Sequence, residues 1–599
     1  MASFLIIVDA DATRRNRFIQ TVEPLLPPVK GLKTDRCARG DFCALWAAHP
    51  QAPVSQSADE TGAAVLWGDA IPKSAIQPVS ARQMRDHWSV WPATLPEPYD
   101  GFHAGVVHLQ DNGVIVSADI LGLFPVYYCG WPDVLLVGSS PELFRYHPCF
   151  HMELNAAGLV GILLTMHLIN GQTLWRNVRR LAPGHCLAWS PGALPQEKLQ
   201  YRIPFSARYY DLPLEAQVRL IDGALDEAVT RHARATQSHS LLLSGGLDSR
   251  MLGGFLKRQG RRDTVAVTFG LPSDIDFRCA SRVARTLGFP HHPVHVAGSS
   301  YPRYAECQAR WEHLANGFNT IMNWGTPPAL GAVNPRVVTG YLGNVILGGA
   351  HLEGAYSPSQ GNFSFRTYFA HHNEWAIRPK VLKKLLLREV FGDLVDETIA
   401  GLETAYLRSA DQESHRAWCS HLQHRQRFHV GSALWPLCFG AWPVQPYVDQ
   451  KVLEVMSGMP VVTLEERRLQ LELLHCRFPH LAALPLDRNA DYALPIHPRF
   501  RWMLAWHLYG RAWEALRRKV HPVDRRYYCR TYDFNGASWR AVRQEGEPYR
   551  SCVQHLFHSE VLNELLPPPQ ATVSFHDGLA DASGPKLLLG LLLWAKDHE

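Results

Sequence analysis

Short apolar runs separated by turn residues dominate the first third of the chain. Residues 105–109, 114–118 and 134–138 form such runs between Gly, Asp and Pro, a pattern typical of short strands joined by tight turns. The apolar run that ends at Asp9 lacks the basic start of a signal peptide, which indicates an opening core strand. The pattern predicts a mostly β first domain, residues 1–205, whose proline-rich last part connects it to the rest of the chain.

Helices alternate with buried strands after this connection. Residues 216–234 and 276–287 carry apolar side chains at helical spacing, as amphipathic helices do. Almost wholly apolar short runs occur around them, at residues 240–243, 264–269, 292–296 and 336–340. Such strands are typical of a parallel sheet covered by helices. Because the pattern beyond about residue 380 is largely helical, the sequence predicts an α/β second domain, residues 206–599, with a parallel sheet followed by a helical part.

Composition and charge exclude several classes of protein. Of the 599 residues, 46% are hydrophobic and 19% are charged, which is typical of large folded domains. The net charge of +5 comes from 60 basic and 55 acidic residues spread along the chain, so neither a nucleic-acid nor a membrane partner is expected. The apolar run at residues 587–595 is far shorter than the roughly 20 residues that a membrane span needs.

The spacing of cysteines and histidines in the sequence does not indicate a metal site. The 12 cysteines include no Cys-x-x-Cys pair, which favours reduced thiols in a cytoplasmic protein. The sets His291-His292-x-x-His295 and His371-His372 lack partners at zinc-ligand spacing. Since neighbours on a strand face opposite sides, these histidines are interpreted as structural or surface residues.

The segment Ser244-Gly245-Gly246-Leu247-Asp248-Ser249 stands between an apolar strand and a helix. Its two glycines let the backbone approach phosphate oxygens, and the N–H groups that start the helix face the anion. Ser244 and Ser249 can donate hydrogen bonds to the same oxygens, whereas Asp248 suits the site only with Mg²⁺ between its carboxylate and the phosphates. A simple strand-to-helix turn would explain the glycines but not the whole hexapeptide. Because the ending of a Walker loop is missing, the segment predicts pyrophosphate binding and disfavours transfer of a γ-phosphate.

This loop resembles that of the asparagine-synthetase family, whose members split ATP into AMP and pyrophosphate to activate a carboxylate. Thr268-Phe269-Gly270 is similar to the end of the family's second strand, and the resemblance implies that backbone groups there hold adenine. Motifs that contain Asp100, Asp119 and Glu142 resemble the family's glutaminase-like domain. The resemblance implies an Ntn-hydrolase-like sandwich for residues 1–205, an ATP-pyrophosphatase ligase domain for residues 206–599, and ATP and Mg²⁺ as cofactors.

Ala2 departs from the family at the position that supplies nitrogen. Glutamine-dependent members carry a cysteine directly after the initiator methionine, and its thiolate and α-amine hydrolyse glutamine. With Ala2 there, the first domain is expected to be an inactive scaffold and the amine to come with the substrate. This is how β-lactam synthetases and the macrolactam-forming cyclases of lasso peptides close a ring. Holding the amine and the acyl-adenylate together can lower the barrier by on the order of 7–11 kcal/mol.

The segment around Tyr341 resembles the second signature of these synthetases. In the β-lactam enzymes this loop supplies a catalytic tyrosine and an aspartate that binds Mg²⁺. Tyr341 matches the tyrosine, and Asn344 stands where the aspartate is expected. An amide oxygen ligates Mg²⁺ without a charge, so Asp248 is expected to be the main protein ligand. A glycine-rich loop with a packed tyrosine is the alternative.

Glu374 and Arg488 complete the catalytic candidates. Glu374 lies about where the β-lactam enzymes place the glutamate that works with the tyrosine, a pair suited to accepting a proton from an attacking ammonium. A solvated surface glutamate is the alternative. The family's oxyanion-stabilising lysine has no counterpart in residues 484–491, so Arg488 is its predicted substitute, with a plain salt bridge to Asp487 as the alternative.

These motifs together predict an ATP-dependent ligase that adenylates an Asp or Glu side chain of a precursor peptide and joins it to that peptide's α-amine. A lasso-type precursor peptide is then the substrate, and a leader peptidase is a candidate partner. The alternatives are a β-lactam or carbapenam synthetase and an ammonia-dependent asparagine synthetase. The non-enzymatic alternative, a peptide-binding scaffold, is disfavoured by the intact loop.

Overall fold

The computed structural model describes residues 2–90, 95, 97–111, 113–347, 349, 352, 356–357, 362–486, 531–573 and 583–598, together with single residues 505, 508, 509, 512, 513, 516 and 527. Within these residues, no helix combines the length and the apolar character that crossing a membrane requires. The described cysteines form no disulfide.

Two antiparallel sheets form the N-terminal half. Their strands are β1 Ala2–Asp9, β2 Lys33–Arg39, β3 Phe42–Ala48, β4 Val54–Asp59, β5 Gly62–Gly68, β6 His103–Leu109, β7 Val114–Ala118, β8 Tyr127–Gly130, β9 Val134–Gly138, β10 Arg179–Arg180, β11 His185–Trp189 and β12 Gln196–Leu199. One sheet has the order β10-β8-β9-β1-β3-β2 and the other the order β12-β11-β7-β6-β5-β4. Every residue of β3, β5 and β6 is buried, as expected for strands covered on both faces. The predicted mostly β first domain is confirmed.

Helices cover the two sheets. They are α1 Ala12–Val22, α2 Ala81–Trp88 and α3 Ala156–Thr165. In α2, Met84 and Trp88 pack on Leu66 and Val107 of the second sheet. The N terminus of α2 is closed by a capping box between Ser80 and Gln83, which satisfies N–H groups that the helix leaves without an internal partner.

A parallel sheet with the order β15-β14-β13-β17-β20 forms the centre of the C-terminal half. The strands of this half are β13 Ser240–Leu242, β14 Val265–Phe269, β15 His291–Val294, β16 Ala315–Phe318, β17 Arg336–Thr339, β18 Tyr356–Ser357, β19 Asn362–Phe363 and β20 Trp442–Val444. The four predicted strands of the sheet are confirmed within about two residues, as boundary predictions allow. Strand β20 was not predicted, because three residues that include a proline carry no periodic signal.

The helices of this half begin at Leu214 and continue to the end of the described chain. They are α4 Leu214–His232, α5 Leu247–Arg258, α6 Ile275–Leu287, α7 Tyr301–Glu312, α8 Pro327–Gly331, α9 Gly343–Ile346, α10 Phe365–Asn373, α11 Pro379–Leu385, α12 Arg388–Phe391, α13 Leu394–Arg408, α14 Glu413–His421, α15 Arg427–Leu437, α16 Gln450–Met456, α17 Val461–Leu464, α18 Arg468–Arg477, α19 Pro479–Ala482, α20 Ala537–Gly546, α21 Ser559–Leu565 and α22 Ser583–Ala595. A π-helical turn, Leu422–Gln426, joins α14 to α15. The predicted α/β fold class, with a helical C-terminal part, is confirmed.

A buried ion cluster joins the two halves at Arg231. This guanidinium donates to Asp449 and, over 2.9 Å, to Asp100, and His232 lies 3.0 Å from Asp449. Burial and the charge of Asp449 raise the pKa of Asp100. Burial would also raise the pKa of Asp449, but the hydrogen bond from His232 and the nearby cations outweigh it and lower that pKa. Asp100 and Asp449, taken from two motifs far apart in the chain, therefore hold the halves together.

Arg427 makes a second contact between the halves. Its Nε donates to the carbonyl oxygen of Gly122 over 3.0 Å, and its Nη2 donates to that of Leu181. Both carbonyls belong to the N-terminal half, and Arg427 is only 4% exposed. Burial, together with the nearby Arg180, lowers the pKa of Arg427 to about 9. The first residue of α15 is thus anchored on the first domain.

Glu142 fastens the C-terminal helix to the N-terminal half. His598 Nε2 lies 2.8 Å and His313 Nε2 lies 3.4 Å from its Oε2, and Arg310 donates to Oε1 over 2.9 Å. Burial would raise the pKa of Glu142, but its hydrogen bonds to the two histidines outweigh burial and lower it. Although Glu142, His313 and His598 are close enough to hold a metal ion, Trp594 donates to His313 Nδ1. The neutral ring then carries its proton on Nε2, which favours an ion cluster over a metal site.

Acidification is expected to weaken the fold through His103. This ring is wholly buried beside the Gly101 carbonyl, and burial lowers its pKa to about 4. Below pH 6.5 His103 is protonated in the unfolded chain but stays neutral in the folded protein. The free energy of unfolding therefore decreases as the pH falls from about 6.5 to 4. Denaturation measured across this range should give a slope smaller by about 1.4 kcal/mol per pH unit in His103→Asn. The exposed-site variant His555→Asn should keep the parent slope, and an unchanged slope in His103→Asn would contradict the assignment.

Candidate active site

A cavity of about 390 Å³ opens at the carboxyl ends of β13, β14 and β17. This edge of a parallel sheet is where α/β folds bind ligands, and the volume lies within the range of small-molecule sites. Ser244, Asp248 and Ser249 line the cavity after β13, and Thr268 and Phe269 line it at the end of β14. Gly340, Tyr341, Leu342 and Asn344 line it after β17. The structure therefore brings together most of the predicted site residues.

The predicted phosphate loop connects β13 to α5. Ser244 N donates to Ser249 Oγ over 3.0 Å, Gly246 N donates to Ser244 Oγ over 3.2 Å, and the two hydroxyl oxygens lie 3.1 Å apart. Gly246 is the N-cap of α5 in an extended conformation and has no side-chain cap. Because no cap occupies the start of α5, its first N–H groups and the positive end of its dipole suit an anion.

Asp248 is held from two helices on the far side of the loop. Its Oδ1 accepts a hydrogen bond from Gln470 Nε2 over 2.6 Å and lies 3.8 Å from Arg467 Nη1. Its carbonyl oxygen accepts from the Tyr447 hydroxyl over 2.8 Å. Asp248 and Asn344 both line the cavity, so a carboxylate and an amide oxygen are available there, as hard-cation binding requires. Asp248 and Asn344 are therefore the residues that would hold Mg²⁺ if it binds with ATP.

The Tyr341 loop packs directly on the phosphate loop. A Cβ atom built on Gly340 would lie 2.7 Å from Ser249 N, and one on Gly343 would lie 2.7 Å from Asp248 Cβ. Leu342 between them has φ +69°, a left-handed conformation that costs a non-glycine residue about 1–2 kcal/mol. Backbone strain of this kind clusters at functional sites. Burial raises the pKa of Tyr341 to about 12, so its phenol carries a proton at neutral pH.

A methyl group at position 343 is expected to push the two loops apart. In Gly343→Ala, the new Cβ would need to move Asp248 or Tyr447, whose ring carbon lies 2.8 Å away. We expect the free energy of unfolding to fall by about 1–3 kcal/mol, and ATP–pyrophosphate exchange to fall by at least about tenfold because the phosphate loop moves. Gly223→Ala is the matched control, since nothing lies within 4 Å of its built Cβ on α4. Wild-type exchange by Gly343→Ala would show that the close packing has no role in the site.

The end of β14 forms the side of the cavity where the resemblance places adenine. Thr268 Oγ1 donates to the Leu243 carbonyl over 2.6 Å and lies 2.8 Å from His291 Nε2. Gly270 has φ +123°, and a Cβ there would lie 2.6 Å from an Asp274 carboxylate oxygen, so this turn requires glycine. The ring of Phe269 lies 6.4 Å from that of Tyr527, a residue that also lines the cavity. His291 has a structural role here, as predicted.

Glu374 is not one of the described residues that line this cavity. It follows α10, its side chain is 63% exposed, and it lies 3.7 Å from His371 Nδ1. Trp375 instead approaches the cavity wall, because the guanidinium of Arg425 lies 5.0 Å from its ring centre. The surface-glutamate alternative therefore describes the observed position of Glu374. Arg488, the predicted oxyanion residue, lies outside the described residues.

Arg250 was not predicted from the sequence, yet it connects the phosphate loop to the end of α19. It is fully buried and donates to the carbonyl oxygens of Leu481 over 3.0 Å, Leu484 over 2.9 Å and Gly245 over 3.1 Å. A third acceptor near α19 is the carbonyl oxygen of Pro485. A guanidinium has five donors in a rigid fork and can satisfy several carbonyls at once. An arginine directly after the Ser-Gly-Gly-x-Asp-Ser motif was the available signal.

The opposite wall of the cavity comes from the π-helical turn and α15. Arg425, Gln426, His429 and Val430 line it there. The helical pattern of the sequence predicted helices in this region but could not show which face meets the cavity. A π-helical turn has no sequence signature and often occurs at functional sites. Only the structure therefore shows that these residues line the cavity.

Comparison with known proteins agrees with this class of site. A family model described as asparagine synthase matches residues 220–319, which contain the phosphate loop and strands β13 to β15. The match supports an enzyme that forms amide bonds with ATP. None of the curated proteins matches the chain.

Two solved structures show a weak likeness to the chain. One, titled the allosteric regulatory enzyme of purine biosynthesis, is 12% identical, covers 49% of this chain and 80% of its own, and has a TM-score of 0.23. The other is glutamine phosphoribosylpyrophosphate amidotransferase from B. subtilis, complexed with ADP and GMP. It is 10% identical, covers 49% of this chain and 65% of its own, and has a TM-score of 0.19. Neither likeness is close enough to carry an argument about this chain.

Proposed function

We propose that this protein is an AMP-forming ligase that closes a macrolactam in a lasso-type peptide. It adenylates the side-chain carboxylate of an Asp or Glu in a precursor peptide, with release of pyrophosphate. The α-amine of the same peptide then attacks the acyl-adenylate and displaces AMP. ATP and Mg²⁺ are the proposed cofactors, with Asp248 and Asn344 as the protein ligands of the metal.

The cavity at the carboxyl edge of the parallel sheet carries this proposal. The phosphate loop and the start of α5 lie on one side of it, and Tyr341 lines the same space as Asp248 and Asn344. Mg²⁺ on these oxygens would neutralise the pyrophosphate as it leaves. The loop supports pyrophosphate release more strongly than transfer of a γ-phosphate, because it lacks the Walker lysine.

The thiols of the first domain support an amine source other than glutamine. Glutamine hydrolysis in this family uses a thiolate, and burial raises the pKa of a thiol. Burial raises the pKa of each cysteine described in residues 2–205: Cys37, Cys43, Cys129, Cys149 and Cys186. Burial thus opposes thiolate formation at these five cysteines, which supports an amine that arrives with the substrate.

One small cavity lies where the two halves meet. A cavity of about 20 Å³ is lined there by Tyr127, Ser139, Arg180, Glu312 and Arg427, which is room for about one water molecule. Glutamine would not fit in it. The larger cavity beside the phosphate loop is therefore the better candidate for the site that receives the amine.

A β-lactam or carbapenam synthetase, which acts on a small molecule, is the second candidate, favoured by the match of Tyr341 to the tyrosine of that group.

The test uses the full-length protein with ATP, Mg²⁺ and synthetic linear peptides that have a free α-amine and one internal Asp or Glu. We expect AMP and pyrophosphate in equal amounts and a peptide product lighter by one water. N-acetylated peptides should support ATP–pyrophosphate exchange without forming a ring. AMP formation with a β-amino acid, or with aspartate plus ammonia, but with no peptide would replace the proposal by the corresponding alternative. No AMP formation with any of these substrates would contradict the ligase proposal.

A further inference from the structure

One face of the segment that joins α14 to α15 meets the cavity opposite the phosphate loop. Arg425, Gln426 and His429 are partly exposed and line the cavity. Arg427 and Phe428, between them in sequence, are 4% exposed and point elsewhere. Residues three and four apart lie on the same face of a helix, so 425, 426 and 429 form a continuous surface. The π-helical turn at 422–426 begins this surface.

Contacts on the other faces fix the orientation of this segment. Arg427 donates to two carbonyl oxygens of the first domain, and Phe428 stacks on His167 with ring centres 5.6 Å apart. Trp418 lies in α14, about one turn before this segment. Its Nε1 donates to the carbonyl oxygen of Val345, which follows the Tyr341 loop, over 3.1 Å. The segment is therefore held to the first domain, and the helix before it to the residues that follow the Tyr341 loop.

A chain of hydrogen bonds positions Gln426. Its Nε2 lies 3.0 Å from His421 Nε2, His421 Nδ1 lies 3.1 Å from His372 Nε2, and His372 Nδ1 lies 2.8 Å from the Tyr368 carbonyl oxygen. One assignment satisfies every link: His372 donates to the carbonyl, His421 donates to His372, and Gln426 donates to His421. The two histidines are then neutral, and both ring nitrogens of each take part in these hydrogen bonds. They act as supports of the cavity wall and not as proton acceptors.

Few groups in the cavity can accept a proton at neutral pH. Tyr341 is a protonated phenol. Asp248 and Asp276 are carboxylates, which accept from Gln470 and from the Tyr527 N–H, and a carboxylate is ordinarily a weaker base than an imidazole. The Glu374 carboxylate, the sequence-based candidate, is 63% exposed outside the cavity. Among the described residues that line the cavity, His429 is the one imidazole, and an imidazole has the proton affinity that suits a base near neutral pH.

We propose that His429 is the general base for amide formation. This inference rests on the proposed function, since it concerns the second half of the same reaction. The amine nitrogen attacks the acyl carbon of the adenylate, the new C–N bond forms, and the bond from that carbon to the AMP oxygen breaks. The nitrogen loses one proton to a ring nitrogen of His429, and AMP leaves with the electron pair of the broken bond. Arg425, on the same face, is placed to attract the carboxylate substrate before adenylation.

The test separates the two halves of the reaction in His429→Asn. N-acetylated synthetic peptides with one internal Asp or Glu report adenylation through ATP–pyrophosphate exchange, and free-amine peptides report ring closure through mass loss. We expect exchange within about threefold of wild type and ring closure slower by about 10²- to 10⁴-fold. In His429→Gly, added imidazole should restore part of the ring-closure rate. His555→Asn, at an exposed position away from the cavity, should match wild type in both assays.

The possible results distinguish the role of His429 from the proposed function. Equal ring closure by wild type and His429→Asn would overturn the role of His429 and leave the proposed function intact. Parallel loss of exchange and ring closure in His429→Asn, without rescue of His429→Gly by imidazole, would show that His429 only maintains the cavity and would overturn its role as a base. Absence of exchange in the wild-type protein with every peptide would instead remove the proposed function on which the inference rests.

Discussion

Asp248→Asn is expected to reduce ATP–pyrophosphate exchange by on the order of a thousandfold, about 4 kcal/mol of transition-state stabilisation. The substitution keeps the size of the side chain and an oxygen that can accept from Gln470 Nε2, which lies 2.6 Å from Oδ1. It removes the negative charge with which Asp248 would hold Mg²⁺. Exchange measured over a range of Mg²⁺ concentrations should therefore fall while thermal unfolding stays close to that of wild type.

Two companion variants sharpen the test of the metal site. Asn344→Asp adds a carboxylate to the same cavity and is expected to lower the Mg²⁺ concentration needed for half-maximal exchange. Asp263→Asn changes an exposed aspartate outside the cavity and should leave exchange unchanged. Exchange by Asp248→Asn within a few-fold of wild type would contradict the assignment of Asp248 as the main metal ligand.

Arg427→Leu is expected to lower the free energy of unfolding by about 2–4 kcal/mol. The variant removes the donors to the Gly122 and Leu181 carbonyl oxygens and leaves buried acceptors without a partner. It also removes a cation near the buried Asp119, whose pKa burial already raises to about 6. Because Arg427 anchors the start of α15, adenylation and ring closure should both slow as the opposite wall of the cavity loses its orientation.

Chemical denaturation and the two activity assays measure these effects together. Arg427→Lys keeps the charge but not the fork of donors, so it should lie between wild type and Arg427→Leu. Arg408→Leu removes an exposed arginine on α13 and should change stability by no more than about 0.5 kcal/mol. If Arg427→Leu behaves like Arg408→Leu, the first domain does not orient the cavity wall through this residue.

The N-terminal motifs that resemble a glutaminase-like domain have a structural role in this molecule. Asp100 binds Arg231 of the second half. Glu142 binds Arg310 and His598, and Trp175 packs edge to face on His313 with ring centres 4.5 Å apart. Through these contacts the first domain can support the second half of the chain. The expectation that it serves as a scaffold stays a prediction, which the Arg427 variants test.

The sequence alone determined the local features of this protein. The strands before and after the phosphate loop, a helix that starts within this loop, and the glycines of the two loops follow from apolar patterning and from the conformations that glycine allows. These signals lie within a few residues of each other, so no partner distant in the chain is needed to interpret them. The domain boundary near residue 205 and the catalytic roles of the site residues stay predictions.

Only the tertiary structure decided which distant residues share the cavity. Gln470 meets Asp248 across 222 positions, and Tyr447 meets it across 199. Spacing suggested Glu374 for the cavity, where the fold places His429. Packing on the other faces of a helix fixes its rotation and so decides which side chains face a site. Arg427 fixes the rotation of α15 in this way. Sequence spacing reports the rotation within one helix but not its orientation relative to a sheet. That His429 lines the cavity and Glu374 does not therefore depended on packing, whereas the position of the phosphate loop did not.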